Sequence, residues 1–356
     1  MAQELQRAKP MSVRIINADV LDGLAQLEDE SVQCCVTSPP YWRLRDYGVA
    51  GQIGLEPTPE AFVAKMVDVF REVRRVLSKD GTLWLNIGDG YAAGKMGRDD
   101  EDEASLRRRF KMFGTGRPKA GRKGANGQQN KVPVGMKPKD LVGIPWMLAF
   151  ALRADGWYLR QEIIWAKPNP MPESVRDRCT KAHEHIFLLT KSERYWFDAD
   201  AIREDSALST LERFGEGKAP RQAGKAYHKG RHERLADELL IGRNKRSVWT
   251  MATQAYSQAH FATFPEELPE TCIKAGSRIG DTILDPFVGA GTTGLVADKL
   301  GRNAILIELN PEYAAMAEKR IRGSCPMFAS VSIASAGRSS EKPLGADELP
   351  FEGAPA

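Results

Sequence analysis

Ser38, Pro39, Pro40 and Tyr41 stand in a row, directly after the apolar run Val32-Gln33-Cys34-Cys35-Val36. Two prolines lack backbone donors, so neither fits a helix interior or a central strand. The run therefore reads as a short buried strand that stops at Ser38 and becomes a stiff loop. That loop offers a hydroxyl, carbonyl oxygens without competing N–H groups, and a flat ring. A second set lies near the other end. Gly289, Gly291 and Gly294 form G-x-G-x-x-G after "TILD", which ends in Asp285. A helical stretch, Gly301 and the strand-like "NAILIEL" follow, and Glu308 lies 19 residues past the first glycine. Strand, glycine loop, helix, strand, acid is the order of a nucleotide-binding βαβ unit, with the acid placed to accept ribose hydroxyls. A side chain at Gly291 is expected to fill ligand space. His183 and His185 share one face of a strand, but no third ligand stands at metal spacing, so both are read as structural and no metal is expected.

Around these residues, strand-like and helix-like segments alternate, which is the pattern of α/β proteins. "VRIINAD", "VQCCVT", "TLWLNIGD", "YLRQEIIWAK" and "HEHIFLLTK" read as strands. "DGLAQLEDE" reads as a short helix, and "PWMLAFALRADGW" as another. A long helix opens at Pro59, carries Phe62, Met66, Val69, Phe70, Val73, Val76 and Leu77 at helical spacing, and is expected to stop at Asp80-Gly81. Only 48 residues follow Glu308. The sheet around the glycine loop must then be completed by strands from earlier in the chain. That implies a permuted Rossmann-like sheet, α/β with helices on both faces, with "TILD" beside "VQCCVT". Both loops then leave one carboxyl edge, where open α/β sheets bind ligands.

The net charge of +4 over 356 residues hides two basic segments. Residues 91–139 carry 13 Lys/Arg against 5 Asp/Glu, and residues 203–247 carry 11 against 7. These segments hold +8 and +4, so the remainder of the chain carries about −8. Aromatic and histidine side chains such as Phe110, Phe113, Tyr227 and His228 are interleaved, which suits phosphate contact; solvated loops are the alternative. The five cysteines show neither disulfide nor metal spacing, and Cys34 and Cys35 read as small apolar fillers. A reducing cytoplasm is expected. No run approaches 18 apolar residues, so neither secretion nor membrane spanning is inferred.

With these motifs in place, the chain resembles the β group of S-adenosylmethionine-dependent DNA amino-methyltransferases. In that group a (D/S)PPY motif precedes the cofactor motif, as "SPPY" at 38–41 precedes "DPFVGAGTTG" at 285–294 here. "GTLWLNIGD", "HEHIFLLTKSERYWFD" and "HFATFPEELPETCIKAGSRIGDTILD" are similar to blocks between the family's motifs. The resemblance implies methyl transfer from S-adenosyl-L-methionine to an exocyclic amino group of a flipped base in double-stranded DNA. It makes Ser38 and the Pro39 carbonyl acceptors for the amine, Pro40 a stiffener and Tyr41 a stacking platform. It makes Asp19, Asp285, Phe287, Gly289, Gly291, Thr292 and Glu308 cofactor residues, with Phe261, Thr263 and Phe264 near the methionine end. A competing reading makes "TSPPYW" a tight turn that packs Tyr41 and Trp42 into the core.

Ser38, where adenine-N6 members usually carry Asp, points to cytosine N4, with adenine N6 as the alternative. An oxidoreductase reading of the glycine loop leaves "SPPY" unexplained. A non-enzymatic nucleic-acid binder leaves the cofactor fingerprint idle, and methylation of RNA or protein is a further possibility. The expected organisation is a catalytic half at 12–90, a basic insertion at 91–139, core at 140–200 and target recognition at 201–250. A cofactor half at 251–325 and a disordered tail at 326–356 complete it. A restriction endonuclease is a possible partner. The sequence sets neither target site nor oligomeric state.

Overall fold

The computed structural model describes residues 12–92, 132, 135–205, 242–254, 264–324 and 330–335. Its described strands are β1 (Ser12–Asn17), β2 (Val32–Thr37), β3 (Leu77–Ile87), β4 (Tyr158–Ala166), β5 (His183–Thr190), β6 (Val248–Thr250), β7 (Thr282–Asp285), β8 (Asn303–Glu308) and β9 (Ser330–Ser335). They form one sheet in the order β6-β4-β5-β3-β2-β7-β8-β1-β9. β5 runs antiparallel to both β3 and β4, and every other adjacent pair is parallel.

The expected permutation is present. β2 pairs with β7 through Cys34↔Ile283 and Cys35↔Leu284, so strands far apart in sequence share the middle of the sheet. All six β2 residues are buried, as a strand covered on both faces requires. Helices α1 (Val20–Leu24), α2 (Pro59–Val76) and α3 (Ile144–Ala154) pack around one core cluster that includes Phe62, Phe70 and Leu148. Helices α4 (Glu267–Gly276), α5 (Thr292–Lys299) and α6 (Pro311–Ser324) pack around a second that includes Cys272, Leu295 and Ile321.

Local chemistry sets the boundaries. The Thr58 hydroxyl accepts from the Ala61 N–H at 3.2 Å, and Pro59 opens α2. The helix ends at Val76 rather than at Asp80-Gly81. Leu77 turns extended (φ −69°, ψ 139°) and pairs with Val32, so Asp80 and Gly81 lie within β3. Tertiary pairing overrides the glycine stop signal there. β1 ends at Asn17, and Asp19 is the N-cap of α1, accepting from the Leu21 N–H at 2.9 Å.

The expectation of a disordered tail from 326 is corrected at residues 330–335. They form β9, pairing with β1 from Ser12↔Ser330 to Asn17↔Ser335. The gain is mostly backbone hydrogen bonding along the outer edge of β1, which composition does not display. The Arg322 guanidinium donates to the Val331 carbonyl and ties the strand to α6.

α4 lies so close to the sheet that Gly276 has no room for a Cβ. One placed there would stand 2.6 Å from Thr82 Oγ1 and 2.8 Å from Cys34 Sγ. Gly276→Ala is therefore expected to lose about 1–3 kcal/mol of stability through overpacking. Urea denaturation of the two proteins measures it, and equal midpoints would contradict the close approach.

Candidate active site

The carboxyl ends of β1, β8, β7, β2 and β3 lie along one edge of the sheet, joined by the end of β4 and the start of β5. Ser38 follows directly on β2, and the glycine loop follows on β7, its neighbour. The two motifs therefore stand side by side.

A buried carboxylate joins them. Asp285 is 1% exposed. It accepts from the hydroxyl of Thr37 at 2.7 Å, from that of Thr293 at 2.6 Å, and from the Phe287 N–H at 3.1 Å. Thr37 immediately precedes Ser38, and Thr293 sits in the first turn of α5. Asp285 thus clamps the start of the "SPPY" loop to the helix of the glycine loop. Burial pushes its carboxyl up to about 6, against the lowering effect of the Thr293, Thr37 and Phe287 bonds.

Glu308 ends β8. Its carboxylate accepts from the N–H groups of Gly289 and Asn310, both at 2.9 Å. Burial pushes it up to about 7, again against those hydrogen bonds. Tyr313 packs edge-on against Tyr47 at 6.4 Å, and Glu308 bears electrostatically on both phenols. The loop after Tyr41 therefore returns over the end of β8. Nucleoside hydroxyls brought to Glu308 would give the carboxylate further donors. Gly289 (φ 53°) and Gly291 (φ 81°) shape the turn beside it.

Gly291 also packs closely. A Cβ there would stand 2.9 Å from Ala317 Cβ on α6, so the glycine is required by the fold whatever lies on its other side. Thr292 is 4% exposed, and its hydroxyl accepts from Arg320 at 2.9 Å. Arg320 also donates to the Ala290 carbonyl at 3.2 Å, so α6 braces the loop from behind. Phe287 packs on the first core cluster and Phe264 on the second. Phe261 and Thr263 lie outside the described residues. Asp19 is near the same edge, because the Ala18 N–H donates to the Glu308 carbonyl at 3.1 Å.

At "SPPY", Pro39 is buried, while Ser38, Pro40 and Tyr41 are half-buried. Tyr41 and Trp42 do pack on the core cluster, and the Trp42 indole donates to the Glu56 carbonyl at 2.9 Å. The Tyr41 ring lies against Gly88 at the end of β3, where a Cβ would come within 2.5 Å of it. Packing and presentation are thus compatible, because the loop is anchored through its aromatic residues while Ser38 stays at the edge. The Tyr41 hydroxyl donates to Glu184 at 2.6 Å. Asn86 also donates to Glu184, at 3.1 Å, and Lys167 forms an ion pair with it. Burial, then the negative charge of Glu184, pushes the phenol well above its ordinary value.

Glu184 is absent from the residues singled out by sequence. The "HEH" run drew attention to its two histidines. His185 instead contacts Glu162 through Nδ1 at 2.8 Å and stacks on Phe187. Strand alternation turns Glu184 away from them and toward Tyr41. Among the described residues no group of His, Cys, Asp or Glu is arranged to hold a metal ion.

The edge sets the "SPPY" loop beside the glycine loop on a permuted sheet of the methyltransferase kind. The model of the N6/N4 DNA methylase family matches residues 32–319, and the chain belongs to that family. It is 43% identical over 324 residues to the type II methyltransferase M.Cfr9I of Citrobacter freundii, covering 90% of this chain and 92% of that one. It is 42% identical over 319 residues to the type II methyltransferase M.SmaI of Serratia marcescens, covering 90% and 94%. Two solved structures share the fold. A putative DNA modification methylase from Thermus thermophilus, complexed with S-adenosyl-L-methionine, is 24% identical, with a TM-score of 0.55 over 91% of this chain and 99% of that one. The cytosine-N4-specific PvuII DNA methyltransferase is 18% identical, with a TM-score of 0.56 over 88% of each. The protein is a DNA methyltransferase of the restriction-modification kind.

Two expectations follow. Because the Asp285 carboxyl is raised, the folded protein holds a proton that the unfolded chain has already lost. Its contribution to stability is full below about pH 4 and is lost as pH rises through about 6. Asp285→Asn should remove that fall, so the stability gap between wild type and variant should change between pH 4 and 7. Urea midpoints at four pH values test this, and a constant gap would refute it. Gly291→Ala should lower stability and affinity for S-adenosylhomocysteine together, and Ala317→Gly should restore part of the stability. Calorimetry and thermal melting read both, and no rescue would deny the contact with α6.

Proposed function

We propose that this DNA methyltransferase moves the methyl of S-adenosyl-L-methionine to the N4 amino group of a flipped cytosine in double-stranded DNA. The supporting observation is the clamp from Thr37 through Asp285 to Thr293, which puts Ser38 next to the cofactor loop. An exocyclic amine is a weak nucleophile because its lone pair is delocalised into the ring. Acceptors at Ser38 Oγ and the Pro39 carbonyl hold its two hydrogens and favour a pyramidal nitrogen aimed at the methyl. The prolines contribute no N–H to compete for those acceptors. The cofactor supplies an electrophilic methyl. Glu308 takes the ribose hydroxyls, with Asp19, Phe264, Phe287, Gly289 and Thr292 about it, while Asp285 and Gly291 shape the loop from behind. Phe261 and Thr263 complete the methionine end by resemblance.

Ser38 favours cytosine over adenine because it presents a small neutral acceptor where adenine-type members of the family carry a carboxylate. Residues 91–139 supply phosphate contacts and residues 201–250 read base edges in the major groove. The core comprises 12–90, 140–200 and 251–325. A cognate restriction endonuclease acting on the same site is the inferred partner, since the relatives are type II methyltransferases. No helix among the described residues is long and apolar enough to cross a membrane. The cytoplasm, where the DNA lies, is the inferred location.

Nucleoside mass analysis of DNA methylated by the protein should find N4-methylcytosine. N6-methyladenine instead would overturn the base assignment alone. Ser38→Ala should cut single-turnover methylation by about 100-fold or more while leaving cofactor and DNA affinity nearly intact. A wild-type rate would make "SPPY" a packing loop.

A further inference from the structure

The amine-acceptor role of Ser38 sets a requirement on the hydroxyl itself. Serine carries one O–H donor and two acceptor lone pairs. If its proton points at the amine, the two donors oppose each other. The proton must be placed elsewhere.

The neighbours provide that place. Ser38 Oγ donates to Tyr41 Oη at 3.4 Å, and Tyr41 Oη donates in turn to Glu184 Oε2 at 2.6 Å. A carboxylate accepts only, so it fixes the direction of the whole chain. Glu184 is itself held. Asn86 Nδ2 donates to Oε2 at 3.1 Å and to the His185 carbonyl at 3.2 Å. Lys167 Nζ pairs with Oε1 and lies 4.2 Å from the centroid of the Trp165 ring. The Glu184 and Lys167 side chains are each 17% exposed. Lys167, Glu184, Asn86 and Tyr41 follow or lie on β4, β5, β3 and β2, four strands adjacent in the sheet. The Ser38–Tyr41 link is the long one, and such bonds tighten when substrate arrives.

We propose that Glu184 is a positioning residue for methyl transfer: through Tyr41 it orients the Ser38 hydroxyl so that its lone pairs face the amine. Tyr41 then has two separable duties, its ring face for the base and its hydroxyl for the relay. No proton changes owner, because the relay only sets hydrogen-bond direction. The inference rests on the assignment of Ser38 to the amine.

The two duties respond differently to substitution. Tyr41→Phe keeps the ring and removes the relay. Glu184→Gln keeps shape and size. Its amide oxygen can accept from Lys167, which turns an N–H donor toward Tyr41 and reverses the chain. Each variant should slow single-turnover methylation by about tenfold or more. Tyr41→Phe/Glu184→Gln should be no slower than either alone, since both break one chain. S-adenosylhomocysteine affinity by calorimetry, thermal melting, and 2-aminopurine fluorescence of the flipped position should stay near wild type in Tyr41→Phe. The 13C resonance of the Tyr41 ring carbon bearing the hydroxyl should shift in Glu184→Gln, without any turnover. Wild-type rates in Tyr41→Phe, or additive losses in the double variant, would overturn the relay, and Tyr41→Phe alone decides the matter if Glu184→Gln does not fold. Ser38→Ala run in parallel separates the failures. If it is inactive while the other two are normal, only the relay is wrong; if it too is normal, the assignment of Ser38 to the amine has failed.

Discussion

One buried carboxylate, Asp285, ties together the two loops of the candidate site. Its two hydroxyl partners come from β2 and α5, and the Thr37–Asp285 pair spans 248 residues of sequence. Without water to satisfy it, the carboxyl has few alternatives to those partners, so its desolvation favours one geometry. The cost appears in its raised affinity for a proton. The return is a fixed relation between the end of β2 and the loop after β7, the places proposed for the amine and for the cofactor. Methyl transfer depends on that relation more than on any single group, because in-line attack needs nitrogen and methyl in one place and direction.

Much of the fold could be read before the structure. Two prolines after "VQCCVT" announced a strand end. The glycine spacing with Glu308 announced a nucleotide unit. Those signals are local, or follow from counting residues. What stayed hidden depends on partners. Asp80-Gly81 looked like a helix stop, yet the pairing of Leu77 with Val32 ended the helix earlier. β9 was concealed because its alternation, Val331 and Ile333 between serines, is brief and sits in a small, polar stretch, while its backbone bonds to β1 are invisible in composition.

The site divides in the same way. Ser38, Tyr41 and Glu308 stand out by type and spacing, and the sheet brings their strand ends to one edge. The residues that orient them do not. Glu184 hides between two histidines that attract the eye, and only strand alternation separates its side from theirs. Gly291 was legible as a special glycine, but its close approach to Ala317 on α6 was not. Sequence shows which groups can do chemistry; packing shows which groups hold them still.

The seam between β2 and β7 also has a meaning in time. A ribosome releases β2 (Val32–Thr37) long before β7 (Thr282–Asp285). Until then β2 lacks its neighbour on that side, Thr37 lacks its carboxylate, and Ser38 has no cofactor loop beside it. Closing such a long loop is also the slow kind of event in folding. The "SPPY" loop and the glycine loop can therefore meet only once β7 has been made. The permuted order of the sheet thus becomes a matter of timing, set by chain topology: the site is completed by the strand that arrives last at its middle.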